Sequence, residues 1–243
     1  MRKYFLGALM ALFFFTSCKK EIEVLNPHTL DNYFPLEVGK QITYALDSTL
    51  FLNFGKTRTV ISYQAQDRID AKITDNLGRP SYRIFRYIRK DNTKPWVFSN
   101  TFMATPTNNT IEYVENNLRY VKLKFPIRQG DTWKGNTYIN TTSIDVDLRY
   151  LDDWDYEYDS VGVPLTLNSL LINNTITVKE RDEFIGQDPS IPSTLYAEKN
   201  YSKEKYGKGI GLIYRECMHW EYQGQNGGSY DGYGVKLTII SHN

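Results

Sequence analysis

Hydrophobic and polar residues alternate over short runs along most of the chain. Ile42, Tyr44 and Leu46 are separated by polar or small residues, and Ile144, Val146 and Leu148 alternate with Asp145, Asp147 and Arg149. Val121, Leu123 and Phe125 share one face, which puts Lys122 and Lys124 on the other. Ile172, Ile176 and Val178 repeat the pattern, as do Val235, Leu237 and Ile239. A period of two marks a strand with one buried face. Asn53-Phe54-Gly55, Asn76 to Pro80, Asn108-Asn109, Asn116-Asn117 and the Gly-rich Gly224 to Gly234 punctuate these runs as turns. Further strands are predicted over Thr57–Ile69, Ser81–Arg89, Trp96–Met103, Ile111–Val114, Val161–Leu167 and Leu170–Val178, and from Leu212 to Tyr222. Leu195 to Tyr206 is polar and is predicted as a short helix. About a dozen strands with short turns give an all-β, mainly antiparallel fold. It is a curved sheet, open barrel or sandwich with at most one or two short helices, in a single domain over 33–243.

One turn occurs twice. Phe34-Pro35-Leu36-Glu37-Val38-Gly39 and Phe125-Pro126-Ile127-Arg128-Gln129-Gly130 both read Phe-Pro-aliphatic-x-x-Gly, 91 residues apart. Two similar halves, or one turn type used twice, would each produce this.

The first residues read differently. Met1-Arg2-Lys3 leads into an apolar run over 4–17, and Thr16-Ser17 precedes Cys18. A basic start, a short apolar core and small residues before a cleavage point make a secretory signal. The run is about 14 residues, short of the roughly 20 that span a bilayer. With Cys18 in place the segment resembles a bacterial lipoprotein signal, although Phe15 stands where an aliphatic residue is usual. The resemblance implies removal of residues 1–17, acylation of Cys18 and a flexible tether over 18–32. Two or more acyl chains anchor a protein stably where one does so only marginally. Lys19 is not the Asp of an inner-membrane retention signal, and Lys19-Lys20-Glu21 resembles the charged export tags of Bacteroidetes surface lipoproteins. A plain solvated linker is the alternative.

Three stretches together resemble β-rich outer-membrane lipoproteins of Bacteroidetes. They are Tyr33-Phe34-Pro35-Leu36 with Gly39, Phe125-Pro126-Ile127 with Gly130-Asp131-Thr132-Trp133, and Tyr206-Gly207-Lys208-Gly209-Ile210-Gly211-Leu212. The resemblance implies a curved antiparallel sheet around an apolar cavity, lipid-anchored at the outer membrane on its periplasmic or cell-surface side. It carries no functional residues, because its motifs are turns.

Composition adds exclusions. The formal charge is +1 over 243 residues, and loss of Arg2 and Lys3 with the signal makes it −1. A near-neutral chain gives no electrostatic footprint for nucleic acid. Nineteen Tyr and twelve Phe favour strands. With Cys18 acylated, Cys217 has no disulfide partner and is expected to be a buried, inert thiol. His28, His219 and His242 show no metal-ligand spacing, and no Gly-x-Ser-x-Gly or phosphate-binding loop occurs. No metal site and no catalytic residue is assigned.

The most unusual segment is Asp153-Trp154-Asp155-Tyr156-Glu157-Tyr158-Asp159. In a strand the four acids share one face and the three rings the other. Three roles fit: a solvated edge whose charges resist aggregation, a calcium surface, or an aromatic platform for a sugar or peptide. Asp47-Ser48-Thr49 and Asp159-Ser160-Val161 resemble O-glycosylation acceptors of Bacteroidetes, at Ser48 and Ser160. The expected function is non-catalytic binding or assembly by a lipid-anchored envelope protein. Its partner would be another envelope protein, a glycan or an apolar ligand. A carboxylate-dependent hydrolase acting on an envelope or nutrient glycan is the alternative.

Overall fold

The computed structural model describes residues 30–143 and 148–243. A single helical turn, α1 (Leu30–Tyr33), precedes twelve strands: β1 (Gln41–Leu52), β2 (Thr57–Thr74), β3 (Pro80–Arg89), β4 (Val97–Pro106), β5 (Thr110–Glu115), β6 (Leu118–Lys124), β7 (Thr132–Lys134), β8 (Asp155–Leu167), β9 (Leu170–Gly186), β10 (Tyr196–Gly207), β11 (Gly211–Gln223) and β12 (Ser229–His242). All belong to one antiparallel sheet, ordered β6-β5-β4-β3-β2-β1-β12-β11-β10-β9-β8-β7. The sheet curls into a nearly closed barrel, as the alternation predicts. At the seam the Val121 amide donates to the Gly135 carbonyl (2.7 Å), and Trp133 Nε1 donates to the Val121 carbonyl (2.8 Å). The Tyr158 hydroxyl donates to the Lys124 carbonyl (2.8 Å) and accepts the Lys124 amide (2.9 Å).

The chain thus forms two six-stranded meanders joined through β1 and β12. Each opens with the repeated turn, and each turn makes the same bonds. The Gly39 amide donates to the Ile69 carbonyl, and the Ile69 amide donates back to the Lys40 carbonyl. The Gly130 amide donates to the Tyr158 carbonyl, and the Tyr158 amide to the Asp131 carbonyl. Gly39 and Gly130 both have positive φ (94° and 85°), a conformation costly for residues with a Cβ. Gly209 (76°) and Gly211 (110°) do likewise between β10 and β11.

Several expectations change. Leu195 to Tyr206 is not a helix, since β10 occupies most of it. Its buried positions include Asn200, Ser202 and Glu204, so the alternation is present but its inner face is polar. Lys122 is not outward: a register shift between Ile111 and Glu112 leaves Val121, Lys122 and Leu123 all buried. The strand expected around Ile144 and Val146 lies outside the described residues, and Leu148 precedes a 3₁₀ turn, Arg149–Leu151. Cys18, the signal and most of the tether also lie outside the described residues. The tether's end is structured, because the Asn32 carbonyl accepts the Gly209 amide (2.5 Å) and Tyr33 is buried. Cys217 is a buried free thiol, raised by burial.

The barrel has two unlike ends. The β10–β11 and β8–β9 hairpins, the C-terminus and α1 gather at one end. The Phe34 ring packs there on Tyr113 (6.1 Å) and Tyr206 (6.0 Å), and the Tyr33 hydroxyl donates to Asn174 Oδ1 (2.6 Å). The β1–β2, β9–β10 and β11–β12 connections lie at the other end.

Candidate functional site

The alternation holds in β8, but its rings point into the core: Trp154 is 3% exposed, Tyr156 and Tyr158 0%. Trp133 packs on Tyr158 (4.6 Å) and Tyr156 (5.8 Å). The Tyr156 hydroxyl donates to Asn136 Oδ1 (3.0 Å), and Trp154 Nε1 to the Tyr150 carbonyl (2.6 Å). These rings are therefore not a binding platform; their polar tips are satisfied and their faces are core. Among the acids, Asp153 and Asp155 are bridged by the Lys134 ammonium (2.6 and 2.9 Å), while Glu157 and Asp159 follow at and beyond the β7 pairing. Among the described residues no three His, Cys, Asp or Glu side chains gather as a metal site. Ser48 and Ser160 are half-buried mid-strand positions, Ser48 on the face shared by Tyr44 and Leu46.

Two features were not legible in the sequence. The first is a buried ionic network inside the barrel. Lys122 (side chain 4% exposed) donates to Glu180 Oε1 and Glu204 Oε1, both at 2.8 Å, and both acids are 2% exposed. Ser202 donates to Glu180 Oε2 (2.5 Å), and the Tyr206 hydroxyl to Glu204. Arg215 Nη1 reaches Glu115 Oε2 (2.7 Å), and Arg86 holds Asp67 with two bonds of 2.6 Å. Burial alone would lower the Lys122 ammonium, but Glu180 and Glu204 outweigh it and hold it up. Burial and the neighbouring Glu204 push the Glu180 carboxyl up. Burial also pushes Glu204 up, but Lys122 and Arg215 outweigh it and hold that carboxyl down. Of the two acids that share Lys122, Glu180 is therefore the one pushed toward its neutral form.

The second is an open cleft of about 890 Å³ at the end away from α1. Tyr150 stacks on His219 (3.8 Å, 15°), and its hydroxyl lies 3.2 Å from that of Tyr233. Asn200 Nδ2 donates to Glu198 Oε1 (2.6 Å) and Glu183 Oε2 (3.4 Å). Its Oδ1 then faces His219 Nδ1 (2.7 Å), which assigns the donated proton to Nδ1. Arg181 binds Glu183 (2.5 and 3.2 Å) and holds that carboxyl down, while the Tyr196 hydroxyl donates to Glu198 Oε2 (2.8 Å). Glu221, Asp231 and Asp152 add carboxylates to the walls. The residues come from β9, β10, β11, β12 and the 3₁₀ turn, so no local motif announces them. The one signal is the spacing of Glu198, Asn200, Ser202 and Glu204, polar at every second position. No protein-family model matches the chain, and no curated protein matches it.

Proposed function

We propose that the protein is a lipid-anchored envelope protein, held at the outer membrane through Cys18, that binds a glycan in the cleft without transforming it. The observation that carries this is the cleft's mixture of tyrosine and imidazole faces with a fixed array of amide and carboxylate groups. Flat rings match the apolar faces of sugars, and the acceptors match their hydroxyls. The volume suits several linked sugar units rather than a small metabolite. The alternative, a hydrolase, has its carboxylate pair: Glu183 and Glu198 bond one Asn200 nitrogen. Arg181 holds Glu183 down, which takes that carboxyl out of the general-acid role and leaves it only as nucleophile or base.

An oligosaccharide array probed with the purified chain, followed by calorimetry on the hits, tests the reading. Tyr233→Ala and Asp231→Asn should abolish binding with the melting temperature unchanged. No hit on the array, or hits untouched by both variants, would overturn the glycan assignment. The anchor is tested separately: Cys18→Ser should move the protein from the membrane to the soluble fraction, and unchanged retention would refute it.

A further inference from the structure

The register of the sheet sets three acids of the cleft in one row. Glu198 on β10 lies directly opposite Glu221 on β11, and Glu221 lies directly opposite Asp231 on β12. All three line the cleft. Asn200, His219 and Tyr233 form the next row, two residues further along each strand and on the same face. Adjacent strands lie about 4.8 Å apart, so the three carboxylates are carried across roughly 10 Å. Like charges directly opposite one another destabilise a sheet. The fold gains nothing from such a row, whereas a ligand of opposite charge would.

The surroundings do not neutralise the cleft. Glu198 receives uncharged donors only, Asn200 Nδ2 (2.6 Å) and the Tyr196 hydroxyl (2.8 Å). The Asp231 side chain makes no hydrogen bond or ion pair among the described residues. Asp152, Asp153 and Glu183 bring further carboxylates, against Arg149 and Arg181 in the lining and Lys134 reaching Asp153 from outside it. Arg181 and Lys134 hold Glu183 and Asp153 down, so both stay ionised. The acids are in excess even with His219 protonated. A uronate or sulfated glycan would be repelled. A metal ion needs its ligands to converge, and among the described residues no three acidic, Cys or His side chains do so. A primary ammonium instead offers three separate N–H donors, and the neighbouring ring of Tyr233 also attracts a cation.

We propose that the glycan held in the cleft is an amino-sugar chain with unacetylated primary amines, one ammonium donating to Glu198, Glu221 and Asp231. This rests on the glycan reading and adds the ligand's charge to it.

The test is calorimetry on the purified full chain at about pH 6, where carboxylates are ionised. The probes are matched hexamers of glucosamine, N-acetylglucosamine and glucose, each in β-1,4 and β-1,6 linkage, and the non-sugar amine spermine. In at least one linkage the glucosamine hexamer should bind at least about tenfold more tightly than both matched hexamers, the effect of a hydrogen bond to a charged group. It should also bind more tightly than spermine, and weaken as salt is raised. Glu198→Gln and Asp231→Asn should each weaken it by at least about tenfold. Should Glu198→Gln lose its native melting transition, Asp231→Asn decides, since that side chain bonds nothing in the fold. An acetylated or neutral hexamer binding as tightly overturns the ammonium assignment and leaves the glycan reading standing. Spermine binding with no hexamer bound sinks the glycan reading, and the proposal with it. Absence of binding by every probe, or undiminished binding by a folded Asp231→Asn chain, also overturns the proposal.

Discussion

Lys122→Met removes the charge at the centre of the barrel while nearly preserving side-chain length. Two carboxylates, each 2% exposed, then lose their shared ammonium. Breaking one partner out of a buried ion pair costs about 3–5 kcal/mol, because a charge is left buried without compensation. A domain of this size shifts by about 2–4 °C per kcal/mol, so the melting temperature should fall by roughly 6–20 °C. That is a large share of the 5–15 kcal/mol typical of a whole domain. The loss should also depend on pH. Glu180 is already pushed up in the parent, and without Lys122 both acids would hold protons that the unfolded chain releases near pH 4.3. A group whose folded pKa is raised stabilises fully below its unfolded value and progressively less as pH rises. The deficit of Lys122→Met against the parent should therefore shrink between pH 7 and pH 5. The double variant Lys122→Met/Glu180→Gln should recover about half of it, since Glu204 keeps Arg215 and Tyr206. Urea titrations at the two pH values measure both effects. A deficit under about 1 kcal/mol, or one indifferent to pH, would refute the account of the interior as an interdependent ionic network.

Four further outcomes follow from the geometry. Gly55→Ala should cost about 2 kcal/mol or more in chemical denaturation, because φ is +77° and a Cβ would lie 2.0 Å from the Tyr230 carbonyl oxygen. Gly209→Ala, at φ +76° but with open space, should cost only about 1–2 kcal/mol; equal costs would show that the backbone clash is relieved elsewhere. The triple Trp154/Tyr156/Tyr158→Ala chain should not fold, at about 3–5 kcal/mol per ring, and a native circular dichroism spectrum would contradict the burial. Burial pushes Glu112 up, but Arg79 and Arg119 outweigh it and hold the carboxyl down, so its stabilisation is present above the unfolded carboxylate pKa and lost as pH falls. Glu112→Gln should flatten the acid limb of a stability-versus-pH curve, and an unchanged limb would count against the pairing.

The strands were legible wherever the inner face is aliphatic, as with Ile42 and Tyr44, Ile176 and Val178, or Leu237 and Ile239. They were illegible where the barrel turns polar residues inward. Asn200, Ser202 and Glu204 are satisfied by partners drawn from β6, β9, β10 and β11, and no property of a single segment shows that. Lys122 was misplaced for a related reason: register shifts depend on the partner strand, and alternation alone cannot reveal them. The acidic-aromatic run was read with the right faces but the wrong environment. Its rings are covered because Trp133, 21 residues upstream of Trp154, closes the seam over them. The cleft needed the strand register, since Asn200, His219 and Tyr233 are cross-strand neighbours on β10, β11 and β12 and Tyr150 stacks on His219 from the turn before β8.

The described chain enters the barrel at α1, so the two ends differ in their distance along the chain from the residues that precede Leu30. Strand β10 has 12 residues, which at about 3.3 Å each and a tilt near 40° separates the two ends by roughly 30 Å. Were Cys18 acylated as proposed, the end carrying Phe34 would be the one nearer the anchor along the chain. An anchored chain standing on that end would carry the cleft at its far end, well beyond the Debye length of about 8 Å from charged headgroups. A hydrophilic polymer could be captured there unaffected by the lipid's surface charge.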